Sequence, residues 1–154
     1  MDLDGLDHEP PMRRAIDLAA EAGDRGDGPF GSVLVRDGEI RMTERNRTNT
    51  ENDLALHPEL TLARRAASEW SPGDRAETVM YTSTEPCAMC ATGIAYAGLG
   101  AVVYSVSGDR VAALRGGSPG IPCDEVFDRL DADVAVEGPV LEADGLSLHR
   151  QFLE

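Results

Sequence analysis

After one tight turn at Asp37-Gly38, every strand-like apolar run in the chain is separated from the next by a stretch with helical spacing. Ser32 to Arg36 and Glu39 to Thr43 flank that turn and read as a hairpin, because Asp-Gly supplies the positive φ that a tight connection needs. Beyond it come Thr78 to Ser83, Ala101 to Val106, and Val134 to Leu141, the last broken by Gly138-Pro139. Strands joined through helices pair in parallel by crossover connections. The order αββαβαβαβα therefore predicts an α/β fold in three layers, α/β/α. Its single mixed five-stranded sheet should be largely parallel after the first hairpin, with helices on both faces. A chain of 154 residues has room for one such core. A single domain over residues 1–154 is expected, with Met1 to Pro11 as a loose acidic lead-in.

The helical stretches place the reactive side chains. Met12, Ala15, Ile16, Ala19 and Ala22 share a face, and Gly23 ends that helix. Pro58 suits a first helical turn, and Leu60, Ala63, Ala67 and Trp70 continue a face up to Ser71-Pro72-Gly73. Cys87 to Leu99 is Ala-rich and reads as a tightly packed helix, Asp124 to Leu130 as a short one, and Gly145 to Leu153 as a tail helix. His57 and Cys87 thus both fall at helix N-termini. Glu44 to Asp53 is too polar for a core strand and leads straight to His57, which marks it as a candidate functional loop.

Charge narrows the partners. All 14 basic side chains are Arg, and against 28 Asp and Glu they leave a net charge of −14. Nucleic-acid backbones and anionic membranes are repelled by such a surface, so the expected partner is a small molecule, with no nucleic acid and no membrane. Acid excess without any Lys resembles proteins of salt-loving organisms, whose self-repulsion concentrated salt screens. No apolar run approaches the roughly 20 residues of a membrane span, and the acidic N-terminus lacks the basic-then-apolar pattern of a signal peptide. A cytoplasmic location is expected. In a reducing compartment, the pair Cys87-Ala88-Met89-Cys90 suggests metal or redox chemistry before a disulfide.

Alone, Cys87-x-x-Cys90 is equally half a zinc site, a redox pair or two buried thiols, and His57 alone is an ordinary hydrogen-bonded residue. Together they supply one imidazole and two thiolates, three zinc ligands that leave a tetrahedral position for water, as in catalytic sites. Helix N-termini favour the thiolate form there. Glu59, two residues after His57, is placed to take a proton from that water and deliver it to a ring nitrogen and a departing amine.

His57-Pro58-Glu59 followed by Pro86-Cys87-Ala88-Met89-Cys90 resembles the H-x-E…P-C-x-x-C signature of the cytidine-deaminase-like zinc deaminases. Pro29 to Val35 is similar to the family's first strand. Tyr81 to Cys90 is especially similar to guanine deaminases, and the likeness runs from about residue 12 to 115. The resemblance implies His57, Cys87 and Cys90 as ligands of one Zn2+ per subunit, Glu59 as the proton shuttle, and Asn46 as a hydrogen-bond partner of the base. Phe30 and the backbone near Ala55 and Glu85 would shape the pocket. Pro58 stands where most relatives have Ala, and Leu54 where several have Pro, so Leu54 and Leu56 would alter the pocket wall. The implied reaction is hydrolytic deamination of a free nucleobase, guanine or a related aminopurine first, and the implied assembly is a homodimer. Cytosine or a nucleoside is the alternative substrate. A tRNA adenosine deaminase fits the motif but not the charge. Cys123 as a fourth ligand would instead make a structural Cys3His centre.

Overall fold

Along each central strand alternate residues face opposite ways, and the two sets line two separate cores. In the computed structural model, which describes residues 1–153, the strands are β1 (Gly31–Arg36), β2 (Glu39–Arg45), β3 (Val79–Thr84), β4 (Ala101–Val106) and β5 (Ala135–Glu137). They form one sheet in the order β2-β1-β3-β4-β5. β1 runs antiparallel to both β2 and β3, while β3, β4 and β5 are mutually parallel. The helices are α1 (Glu9–Asp24), α2 (Pro58–Glu69), α3 (Pro72–Ala76), α4 (Ala88–Ala97), α5 (Gly108–Arg115), α6 (Cys123–Arg129) and α7 (Glu142–Gln151).

Leu34, Met80 and Val102 face one core, with Leu62 and Ala66 of α2, Ala91 and Ile94 of α4, and Phe127 of α6. Their neighbours Val33, Val79, Tyr81, Ala101 and Val103 face the other, with Met12, Ala15 and Leu18 of α1. A period of two along buried strands therefore produces the expected three-layer α/β/α arrangement. At Gly31 the layers touch through backbone: a Cβ there would lie 2.4 Å from the Ala15 carbonyl oxygen and 2.5 Å from the Ala19 nitrogen. Only glycine permits that approach.

Four local expectations change. Helix α1 begins at Glu9 rather than Met12, because Pro10 and Pro11 sit in its first turn, where a missing N–H costs nothing. The segment before it is not loose: Leu3 packs against the α1 core, and the His8 ring lies 2.8 Å from Tyr81 Oη and 3.2 Å from Glu137 Oε2. Helices α3 and α5 were not legible; both bury no side chain, so no apolar stripe betrays them. β5 keeps only Ala135–Glu137 of the longer predicted run. Among the described residues, no helix is long and apolar enough to cross a membrane.

Candidate active site

Two helices of one layer begin at the same place. His57 is the N-cap of α2 and Cys87 the N-cap of α4, and both carry extended backbone there, so each side chain stands at its helix's positive end. Cys90 lies one turn into α4 and is fully buried. His57 Nδ1 is 3.5 Å from Cys90 Sγ and 3.7 Å from Cys87 Sγ. All three ligand atoms lie within 4.8 Å of one another. A tetrahedral zinc ion with ordinary Zn–S and Zn–N bonds would set such N···S separations at about 3.6 Å. The residues fit the ion, with Nδ1 as the ligating nitrogen.

The electrostatics agree with a site built for thiolate. The hydrogen bond from Cys90 holds the Cys87 thiol down to about 4, against its burial, with His57 adding to the effect. The same bond, together with burial, pushes Cys90 up. The hydrogen bond to Cys87, and the charges of Cys87 and Glu59, raise His57. Among the described residues Cys123 is outside this cluster. Its buried thiol is pushed up by burial and by the charge of Glu85. The Cys3His arrangement is therefore absent from this geometry.

Glu59 is 6% exposed, and its Oε1 has no hydrogen-bond partner among the described residues. A buried carboxyl oxygen left unpaired costs free energy, and in native proteins such a group is often functional. Burial, the largest influence, pushes its pKa up to about 7.

Glu59, His57 and Cys87 open onto a cavity of about 240 Å³. Phe30 and Glu85 also line it. So do Thr84 at the end of β3 and Val111, Ala112 and Arg115 of α5, a wall that sequence reasoning missed with α5 itself. The signal available was Ser107, whose hydroxyl caps α5 by accepting from Arg110 N at 3.2 Å. Asn46 and Ala55 are not brought to the lining. Asn46 is 3% exposed, and its Oδ1 accepts from Thr48 N at 2.9 Å and Thr48 Oγ1 at 2.8 Å, so that oxygen is committed to its own loop. Ala55 N donates to Asp53 Oδ1 at 2.9 Å. Asp27 braces the loop from below, accepting from Asn49 N and Thr50 N, each at 2.9 Å.

Behind the cavity, α7 supplies a buried imidazole. Arg115 Nε donates to His149 Nδ1 at 3.2 Å, so that nitrogen carries no proton and Nε2–H donates to Thr84 Oγ1 at 2.8 Å. The ring also meets Phe30 edge-on, centroids 5.8 Å apart. Burial, with the charge of Arg115, pushes His149 down to about 4.

Comparison with known proteins agrees with this site. Residues 6–106 match the cytidine and deoxycytidylate deaminase zinc-binding region. The guanine deaminase of Bacillus subtilis is 39% identical over 101 residues, which is 65% of this chain and 65% of the relative. The tRNA-specific adenosine deaminase of Agrobacterium fabrum is 32% identical over 106 residues, covering 69% of this chain and 70% of the other. The solved guanine deaminase of Nitrosomonas europaea superposes with a TM-score of 0.74 at 19% identity, over 96% of this chain and 86% of that one. The chain belongs to the cytidine and deoxycytidylate deaminase zinc-binding family.

Proposed function

We propose that this deaminase acts on a free nucleobase, guanine or a related aminopurine first, replacing the exocyclic amine by a carbonyl with water as co-substrate and ammonia as co-product. The observation that carries the reading is the cavity itself. At about 240 Å³ it falls below the roughly 300 Å³ at which drug-sized sites begin, which suits a ligand as small as a single base. The likeness to the B. subtilis guanine deaminase supports the purine. The net charge of −14 argues against a tRNA substrate, although one relative carries that activity in its name.

His57, Cys87 and Cys90 would hold the zinc ion, which supplies Lewis acidity that makes a water nucleophilic at neutral pH. The chain's own residues do the rest. Glu59, through its unpartnered Oε1, takes one proton from the attacking water and gives it to the ring nitrogen, then takes the remaining hydroxyl proton and gives it to the amine, which leaves as ammonia while the carbonyl forms. Burial, which favours the protonated carboxyl, helps Glu59 hold a proton between the two transfers. Phe30 offers an aromatic edge to a planar base, and the α5 wall excludes water. The homodimer implied by the resemblance belongs to this reading; Leu54 and Tyr96, 77% and 78% exposed, are apolar side chains a second copy would cover. Ammonia release from zinc-loaded protein across guanine, adenine, cytosine, their nucleosides and amino-triazines tests the proposal. Guanine or another aminopurine should lead, and preference for cytosine or any nucleoside would overturn it.

A further inference from the structure

The Glu85 carboxylate joins two elements that the chain makes separately. Its Oε1 accepts from the N–H of Gly108, the first residue of α5, and its Oε2 from the N–H of Cys123, the first residue of α6, each at 2.9 Å. Both amides belong to the opening turn of a helix, where no helical carbonyl can reach them. Helix α6 has Pro122 at its N-cap and no side-chain bond there, so Glu85 acts in place of a cap. Hydrogen bonds to a carboxylate are stronger than neutral ones, and both helix dipoles favour negative charge at this point.

Between the two anchored amides lie α5 and the loop 116–122. That loop bends through Gly116, Gly117 and Gly120, at φ of 84°, 92° and 73°. Glycine at such positions has many alternatives, so the loop's shape must be imposed from outside it. Gly116, Ser118 and Pro119 line the same cavity as His57 and Cys87. Pro119 is pressed onto the anchored end: its carbonyl oxygen lies 3.0 Å from where a Cβ on Gly108 would be. Glu85 is itself held, since its N–H donates to the Val106 carbonyl at 2.8 Å, and only Pro86 separates it from Cys87.

We propose that Glu85 is a positioning residue for deamination: its carboxylate holds the 116–122 wall at a fixed distance from the His57–Cys87 cluster and so sets how tightly the base is held. This rests on the reading that the cavity receives the base. Because the groups that move protons are untouched by the brace, its loss acts on KM rather than kcat.

The test uses zinc-loaded Glu85→Gln and Glu85→Ala beside the wild type. It measures zinc content, KM and kcat with the best base of the panel, and amide hydrogen exchange at Gly108 and Cys123. Glutamine keeps one acceptor oxygen and loses the other, so KM should rise about tenfold, and more in Glu85→Ala. Zinc content should hold and kcat should stay within about twofold, with faster exchange at one amide in Glu85→Gln and at both in Glu85→Ala. Unchanged exchange, unchanged KM, or kcat falling while KM holds overturns the proposal. If Glu85→Ala does not fold, the near-isosteric Glu85→Gln decides. If the wild type deaminates no base of the panel, the substrate reading fails by itself, and exchange in Glu85→Gln still decides the brace: amides as protected as in the wild type overturn it.

Discussion

His57 Nδ1 and Cys90 Sγ stand 3.5 Å apart although 33 residues separate them in the chain. The separation is spanned by α2, α3 and β3, so the ligands meet only when α2 and α4 are docked on the sheet. Zinc binding is then linked to folding. A chelator should lower the melting temperature. It should also unmask Cys87, which is held down to about 4 in the metal-free cluster and is exposed. Iodoacetamide should label Cys87 at a rate that stays on its plateau well below pH 7 and halves only near pH 4, because the reactive thiolate persists above its pKa. Cys90, pushed up and buried, should label far more slowly. Equal labelling of both would contradict the assignment of the proton.

Glu59→Ala should retain zinc while kcat falls by roughly 10²-fold to 10⁴-fold, the loss expected for a general acid/base. His57→Ala should lose metal and activity together. Zinc analysis beside ammonia release separates the two, and a Glu59→Ala enzyme with near-normal turnover would dismiss Glu59 as the shuttle.

Asn46 divides between two roles. Its Oδ1 is committed to Thr48 and it does not line the cavity, so the base-binding role that the resemblance implies would fall to its amide nitrogen alone. Asn46→Ala strands the Thr48 amide and should cost stability, by about 1 to 3 kcal/mol. Asn46→Asp keeps the acceptor and replaces the donor, so it should lose less stability than Asn46→Ala while kcat/KM falls. If kcat/KM is unaffected in Asn46→Asp, Asn46 anchors its loop and nothing more.

His149 makes stability depend on mild acid. Its folded pKa of about 4 lies below the ordinary histidine value of 6.5, so between these values the unfolded chain takes up a proton that the folded chain refuses. Above 6.5 both states are neutral and the residue contributes no pH dependence. As pH falls from 6.5 towards 4 stability should decline, by up to about 3 kcal/mol in all. His149→Gln keeps hydrogen-bonding capacity without the titration. Melting curves of the two proteins should diverge in steepness across that window and run parallel above it.

Salt should stabilise. Exposed Arg side chains pair with neighbouring acids, as Arg25 does with Glu21 and Arg129 with Glu125, but such pairs contribute little and 14 surplus charges remain. Melting temperature and free-base turnover should rise together from about 0.05 to 2 M KCl as screening shortens. A flat or falling melting curve would remove self-repulsion as the meaning of the composition.

What could be read from residues alone divides along physical lines. The central strands β1, β3 and β4 were legible because they are largely buried on both faces, as the unbroken apolar run of Val79 to Tyr81 shows. His57, Cys87 and Cys90 were legible because metal ligation fixes residue type and spacing at once, and Glu59 because it stands two residues after His57. Helix α5 and the Arg115–His149–Thr84 chain behind the cavity were not. An exposed helix carries no apolar period, and a hydrogen bond across 65 residues leaves no local trace. Asn46 was placed on the right loop, but the competition from Thr48 for its oxygen is a matter of rotamer, which only coordinates disclose.

Helix α1 offers no side chain to the cavity, yet it is the anvil on which the cavity floor is set. Its backbone, together with Leu18 Cβ, bears directly on Gly31, the residue after Phe30. A single added methyl at Gly31 would have to lift β1 or push α1 outward, and either movement carries the Phe30 ring with it. Substrate preference in this chain is therefore open to change from the far side of the sheet, through substitutions that never touch the base.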